Sequence, residues 1–149
     1  MKILVLNQYG AEDAAPTARL AAELSAHLRE LGHEVHFLAE SQVYAKRLQG
    51  WRRWWHEMGV HGQLFFRGLS LGRLDWVISL TSPVCLGWTA SILAKLRGAR
   101  HAHWVMDVYP ELAEKLGELK AGTSGRILRH LMSWAYQQTA AVGRFWMRI

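Results

Sequence analysis

The chain begins with a short, continuous apolar run, which is followed by an apolar pattern of helical spacing. The run from Lys2 to Leu6 contains β-branched residues and is typical of a strand that is buried on both faces. From Pro16 onward, leucines at 20, 24, 28 and 31 fall on one face of a helix, and Gly32 is suited to end it. Val35 to Leu38 then predicts a second strand. This order of strand, helix and strand predicts a βαβ unit with parallel strands.

The same alternation continues to the end of the chain. Strands are predicted at Asp75 to Leu80, at His101 to Met106 and from Ala140 to Val142, and helices at Leu86 to Leu96, Glu111 to Leu116 and Arg126 to Gln138. Gly98 is expected to close the helix that precedes the fourth strand. The pattern predicts an α/β fold with a parallel sheet, in a single domain over residues 1–149.

The segment from Ser41 to Gly72 departs from this alternation. Leu48, Trp51, Trp55 and Met58 recur at spacings of three and four and therefore share one face of a helix. Gly59 and Gly62 are expected to interrupt this helix, which resumes from Leu64 to Leu71.

Charge adds a hypothesis for this segment. The net charge is +6, and basic residues cluster here together with tryptophans. An interfacial helix would place Trp51, Trp54, Trp55, Arg52 and Arg53 against an anionic membrane surface. Alternatively, the tryptophans pack on the domain and the arginines are solvated; the sequence does not favour either. A nucleic-acid partner is not predicted, because the aromatic residues follow a helical pattern and are not displayed on a sheet for stacking.

The sequence gives no support for a membrane span, a disulfide, a nucleotide-cofactor site or a metal site. No apolar run has transmembrane length, and the first run is too short for a signal peptide, so we expect a cytoplasmic protein that is at most peripheral on the membrane. Cys85 is the single cysteine, which excludes an intrachain disulfide. The loop from Asn7 to Asp13 lacks the glycine motifs of dinucleotide and P-loop sites, so no cofactor is predicted. His101 and His103 face the same side of a strand without an assignable third ligand, so no metal is predicted.

Asp107 is the candidate for chemistry. It follows the fourth strand, just before Pro110, and the carboxyl ends of strands form the ligand-binding edge of open α/β sheets. It could act as a general base for a substrate hydroxyl, as a phospho-acceptor, or as the cap of the next helix. The phospho-acceptor interpretation is weakened because no acidic pair follows the first strand.

Four motifs in order resemble those of the retaining glycosyltransferases of family 4, which have the GT-B fold. The opening, Met-Lys-Ile-Leu-Val-Leu-Asn-Gln-Tyr, resembles the start of the family's sequences. Leu31-Gly32-His33-Glu34-Val35 resembles the family's turn into the second strand. Asp75-Trp76-Val77-Ile78 with Thr81-Ser82-Pro83, and Asp107-Val108-Tyr109-Pro110-Glu111, resemble two further family motifs. The resemblance is strongest to the bacterial exopolysaccharide and colanic-acid type, and it covers nearly the whole chain.

The resemblance implies a Rossmann-like three-layer α/β/α domain that is one half of a GT-B fold. It implies that Asp107 lies on the acceptor side of the catalytic centre, with acceptor-binding residues at the same edge: Tyr9, Gly10, Arg19, Thr81, Ser82, Tyr109 and Glu111. The implied acceptor is a glycan or a lipid-linked sugar in cell-surface polysaccharide synthesis.

Two departures from the family bear on this expectation. Ala14-Ala15-Pro16 replaces the glycine pair that the family carries before its first helix. The chain also ends where the linker to the nucleotide-sugar domain is expected, so we expect it to need that domain, or a partner chain, for transfer. The alternative is a non-catalytic, membrane-associated binding or scaffold module for a separate catalytic subunit.

Overall fold

The computed structural model describes residues 1–40, 51–106 and 123–144. Nine elements lie in these ranges. The strands are β1 Lys2–Leu6, β2 Glu34–Leu38, β3 Trp76–Ser79, β4 Arg100–Val105 and β5 Ala141–Arg144. The helices are α1 Pro16–Glu30, α2 Trp51–Ser70, α3 Leu86–Arg97 and α4 Thr123–Gln138.

The five strands form one parallel sheet in the order β2-β1-β3-β4-β5. Its two faces carry different layers, because successive side chains of a strand point to opposite sides. Leu4 and Val77 pack with residues of α2 and α3 on one face, whereas Val5 packs with residues of α1 on the other. The α/β prediction is therefore confirmed, and the architecture is a Rossmann-like three-layer fold.

Helix α2 corrects one expectation. It runs without a break from Trp51 to Ser70, so the predicted interruption at Gly59 and Gly62 is wrong. Each glycine costs about 1 kcal/mol relative to alanine in a helix interior. Burial of Val60 and Leu64 against the sheet offsets that cost, since both side chains are almost fully enclosed.

Helix ends follow the sequence more closely. Gly32 and Gly98 both have positive φ, at 82° and 65°, directly after α1 and α3. This left-handed conformation favours glycine and satisfies the last helical carbonyls, as their positions predicted. Helix α4 begins at Thr123, before the predicted Arg126, and so takes in part of the predicted loop from Ala121 to Gly125.

Several predictions lie outside the described residues. They concern Asp107, Tyr109 and Glu111, the short helix from Glu111 to Leu116, and the position of Leu48. Within the described ranges, no helix combines the length and apolar character that crossing a membrane requires.

Candidate functional site

The order of the strands locates a crevice in the sheet. Strand β1 lies between β2 and β3. The connection from β1 runs outward to β2, and the connection from β2 returns past β1 to β3, so the sheet reverses its winding between β1 and β3. Ligands of open α/β sheets bind outside the carboxyl ends of the strands at such a point. Here that position is occupied by the residues that follow Leu6 and Ser79.

Gln8 ties three strand ends together at this crevice. Its backbone N–H donates to the Ser82 carbonyl at 2.8 Å, and its carbonyl accepts from the Glu40 N–H at 3.0 Å. Gln8, in the loop after β1, is therefore bonded to both the loop after β2 and the loop after β3. Joined through the Gln8 backbone, the three loops form a fixed frame.

A carboxyl–imidazole pair lies beside this frame. Oε1 of Glu40, two residues after β2, is 2.8 Å from Nε2 of His56 on α2. The Glu40 side chain is only 8 % exposed. Burial and repulsion from Asp13 raise the pKa of Glu40, while His56 and the Gln8 amide oppose the rise by stabilising the carboxylate. The pair can hold or exchange a proton at the sheet edge.

Three buried polar atoms at this edge lack a well-formed hydrogen bond within the described part of the chain. They are Oδ1 of Asn7, Nε2 of Gln8 and Oε2 of Glu40. The Gln8 amide lies near enough to the Glu40 carboxyl to favour its charged form, without reaching good hydrogen-bond geometry. Buried polar groups are almost always paired in native proteins, so this concentration is unusual. We call Asn7, Gln8, Glu40 and His56 the edge cluster.

Tyr9 and Gly10, two predicted acceptor-binding residues, adjoin the edge cluster. The Tyr9 carbonyl accepts from Nδ2 of Asn7 at 3.0 Å. The Gly10 N–H donates to Oδ2 of Asp13 at 2.7 Å, and the Asp13 N–H donates back to the Gly10 carbonyl at 3.1 Å. Because Asp13 already occupies the Gly10 N–H, that donor is not open to an anionic ligand.

Thr81 and Ser82, also predicted to bind the acceptor, are engaged in the frame. The Thr81 hydroxyl donates to the Trp104 carbonyl at 3.2 Å and accepts from the Met106 N–H at 2.7 Å. It thereby holds the end of β3 to the end of β4, directly before Asp107. The Ser82 carbonyl is the acceptor for Gln8. Their roles toward a ligand stay predictions.

Arg19 lies elsewhere. It sits in the first turn of α1 with an exposed guanidinium, whose Nε donates to Glu23 at 2.7 Å on the same helix. It makes this exposed pair and not a hydrogen bond to the edge cluster. Its predicted contact with the acceptor therefore stays a prediction.

A second imidazole fixes α2 against the loop after β3. Nε2 of His61 lies 2.9 Å from the Val84 carbonyl, and its Nδ1 lies 2.7 Å from the Thr89 hydroxyl. A carbonyl only accepts, so Nε2 carries the proton and Nδ1 accepts from Thr89. Burial lowers the pKa of His61, which favours this neutral form. The contact sets where α2 stands relative to the crevice.

The first half of α2 exposes its aromatic residues. Trp51, Trp54 and Trp55 are 71 %, 57 % and 60 % exposed, and Met58 and Arg52 are also exposed. We call Trp51, Trp54, Trp55 and Met58 the tryptophan face. It points away from the side of the helix that buries Val60 and Leu64, as the 100° step between helical residues requires. Arg53, the remaining predicted membrane contact, has a side chain outside the described part.

No metal centre is found in the residues that the structure describes: no three or more His, Cys, Asp or Glu side chains converge. His101 and His103 are both buried, and they point to the same face of the sheet, as predicted. Both ring nitrogens of His101 and Nδ1 of His103 bond to serines. Burial holds the Cys85 thiol at a pKa of about 11, so it is protonated at neutral pH.

The sequence analysis missed Glu40 and His56. Glu40 lies two residues after the second strand, so the argument that singled out Asp107 after the fourth strand applies to it equally. His56 gave no comparable signal, because the contact depends on how α2 crosses the sheet. Spacing along the chain does not encode that crossing.

Comparison with known proteins adds little. No family model matches the chain. No curated protein matches it. Among solved structures, it is similar to the protein lin1944 from Listeria innocua, with 14 % identity over 98 % of this chain and 100 % of that one. The TM-score of 0.36 is too low to carry an argument about fold or function.

Proposed function

We propose that this domain is the acceptor-binding half of a retaining glycosyltransferase. It would present a glycan or lipid-linked sugar acceptor to a nucleotide-sugar donor that is held by a second domain or partner chain. The observation that carries the proposal is the edge cluster: buried polar groups from the ends of two adjacent strands gather beside the crevice at which a doubly wound sheet binds its ligands. The ordered resemblance to family 4 glycosyltransferases supplies the reaction.

The two-domain requirement gives the first test. Active sites commonly form in clefts between domains, so we expect the purified chain alone to transfer no sugar from a panel of nucleotide sugars. Adding a nucleotide-sugar-binding domain, encoded beside it or fused to it, is expected to produce turnover. Replacement of Asp107 by asparagine should then remove that turnover without changing donor binding. Turnover by the chain alone would refute the half-enzyme proposal.

A second candidate function is a membrane-associated binding or scaffold module. It is favoured by the tryptophan face, which stays largely exposed and adjoins the basic Arg52. Tryptophan prefers the headgroup region, and a basic residue near an anionic surface adds about 1 kcal/mol. Peripheral association with the inner face of the membrane is compatible with either function.

Vesicle sedimentation tests the membrane contact. The chain is expected to bind vesicles of phosphatidylglycerol more tightly than vesicles of phosphatidylcholine, and less tightly as salt is added. The double variant Trp51→Ala with Trp54→Ala should lose this binding, whereas Trp88→Ala on α3 should keep it. If the double variant binds as the unchanged protein does, the interfacial-helix hypothesis fails. If vesicle binding is strong and no donor domain restores transfer, the scaffold function takes precedence.

A further inference from the structure

The edge cluster has a defined hydrogen-bonding demand. Within the described ranges, Oδ1 of Asn7 and Oε2 of Glu40 are acceptors and Nε2 of Gln8 is a donor, each without a well-formed hydrogen bond, although the Gln8 amide lies near the Glu40 carboxyl. The three side chains are more than nine-tenths buried. A ligand that completes all three groups would offer donors to the two oxygens and an acceptor to the Gln8 amide.

His56 orients the carboxyl group of this cluster. Its Nε2 lies 2.8 Å from Oε1 of Glu40, so the other carboxyl oxygen, Oε2, is the one that the imidazole does not engage. A carboxylate can only accept, so the His56 nitrogen is the donor in that bond. The imidazole also lessens the cost of keeping Glu40 charged where burial disfavours it.

The chemistry selects among ligand classes. A phosphate is anionic and offers mostly acceptors, and it would meet the oxygens of Asn7 and Glu40 as well as the carboxylate of Asp13 in the adjoining loop. A hydroxyl group both donates and accepts, so neighbouring hydroxyls satisfy two acceptors and one donor together. Neutral sugars present such groups at fixed spacing.

We propose that Asn7, Gln8 and Glu40, with His56 as the positioning residue, form a subsite for neighbouring hydroxyl groups of a neutral sugar. The inference rests on the proposed function in one respect, since it identifies that sugar as part of the acceptor. As a binding site, it is independent of whether transfer occurs. It also assigns to Glu40 the recognition of acceptor hydroxyls.

The direct test is a titration followed by nuclear magnetic resonance. The probes are glucose, galactose, mannose and N-acetylglucosamine, each taken to about 0.1 M, a range that detects millimolar binding. At least one is expected to shift the side-chain amide signals of both Asn7 and Gln8, and inorganic phosphate is expected to leave them unmoved. Failure of all four sugars to shift these signals, or an equal shift with phosphate, overturns the subsite.

Variants separate recognition from support of the fold. Glu40→Gln keeps the shape but replaces a charged acceptor, and we expect about tenfold weaker binding. The control Glu30→Gln removes an exposed carboxylate on α1 and should leave binding unchanged. His56→Gln should weaken binding less than Glu40→Gln and should alter its dependence on pH, since the imidazole tunes the carboxyl. If Glu40→Gln does not fold, the unchanged protein and His56→Gln decide the matter.

The same variants distinguish failure of the inference from failure of the proposed function. In a reconstituted transferase, Glu40→Gln is expected to raise the acceptor KM with little change in the donor KM. Transfer with an unchanged acceptor KM overturns the subsite and leaves the proposed function standing. If sugar binds at Asn7 and Gln8 but no donor domain produces transfer, the subsite stands and the proposed function is overturned.

Discussion

Ser79 and His103 are joined through one nitrogen: Nδ1 of His103 lies 2.7 Å from the Ser79 hydroxyl and 3.2 Å from the Ser79 carbonyl. The carbonyl can only accept, so Nδ1 carries the proton. The other ring nitrogen, Nε2, is buried without a hydrogen bond in the described part of the chain. A proton added there would find no acceptor, which keeps this imidazole neutral.

The proton order continues through the interior. With Nδ1 of His103 donating, the Ser79 hydroxyl donates to Nε2 of His101 at 2.9 Å. Nδ1 of His101 must then donate to the Ser91 hydroxyl at 2.9 Å, which in turn donates to the Gly87 carbonyl at 2.8 Å. The bond from Ser79 to Nε2 of His101 requires a neutral His101, and the buried Nε2 of His103, which has no acceptor in the described part of the chain, favours a neutral His103.

Acid should therefore unfold the protein through these histidines. Burial lowers the pKa of His103 to about 4, and burial together with repulsion from His103 lowers the pKa of His101 to about 3, from 6.5. Between pH 6.5 and these values, the unfolded chain binds protons that the folded chain does not. As the pH is lowered through that window, the free energy of unfolding should decrease, by up to about 1.4 kcal/mol per pH unit for each imidazole.

Urea unfolding at a series of pH values measures this slope. His103→Asn keeps a donor toward Ser79 but does not titrate, so its slope below pH 6.5 should be shallower than that of the unchanged protein. His27→Gln, which changes an exposed histidine on α1, should keep the full slope. Equal slopes for His103→Asn and the unchanged protein would remove His103 as a cause of acid unfolding.

Gly87 is expected to tolerate no side chain. A Cβ at this position of α3 would lie 3.0 to 3.2 Å from three ring atoms of His103, which is almost fully buried and bonded to Ser79. Gly87→Ala should lower the free energy of unfolding by about 1–3 kcal/mol, since overpacking displaces a fixed ring.

The matched control for that change is Gly62→Ala. No atom lies within 4 Å of a Cβ at Gly62, which is also inside a helix. There the alanine should stabilise the fold by about 0.5–1 kcal/mol. Chemical denaturation of both variants decides; similar effects from the two would contradict the close contact of Gly87 with the His103 ring.

The Thr89 hydroxyl should contribute through His61. Thr89→Val removes the donor at 2.7 Å from Nδ1 of His61 and leaves a part-buried acceptor unpaired. We expect a loss of about 1–3 kcal/mol in the free energy of unfolding. Thr89→Ser keeps the hydroxyl and should lose less, which thermal unfolding of the two variants can measure. A larger loss for serine would show that the methyl group, not the hydroxyl, matters here.

The sequence predicted those parts of the fold that depend on local pattern. The strand from Lys2 to Leu6 and the positive φ at Gly98 follow from apolar runs and backbone sterics within a few residues. The path of α2 through Gly59 was not predictable in this way, because burial of Val60 outweighs the helix penalty of glycine.

For the candidate site too, the sequence predicted the local features and missed the contacts between distant elements. Position after a strand is a local property, and it pointed to the carboxyl edge of the sheet, where the edge cluster also lies. The pairing of Glu40 with His56 is not local, since it depends on the crossing of α2 over the end of β2. Thr81 was expected to face a ligand, yet its hydroxyl is bonded to Trp104 and Met106, a contact between strands that spacing does not reveal.

Truncation of a side chain should strongly destabilise the fold on the buried side of α2 and have almost no effect on its exposed side. Leu64 is fully buried between the sheet and α3, so Leu64→Ala should cost about 2–5 kcal/mol of the free energy of unfolding through lost contacts and the cavity it leaves. Trp51 is 71 % exposed, and Trp51→Ala should change it by less than about 0.5 kcal/mol. Urea unfolding of each variant without lipid gives the comparison. If Trp51→Ala lowers the free energy of unfolding nearly as much as Leu64→Ala does, Trp51 is a core residue and cannot be part of the proposed membrane contact. If it lowers that free energy only slightly and also abolishes vesicle binding, the exposed apolar surface of Trp51 contacts the membrane.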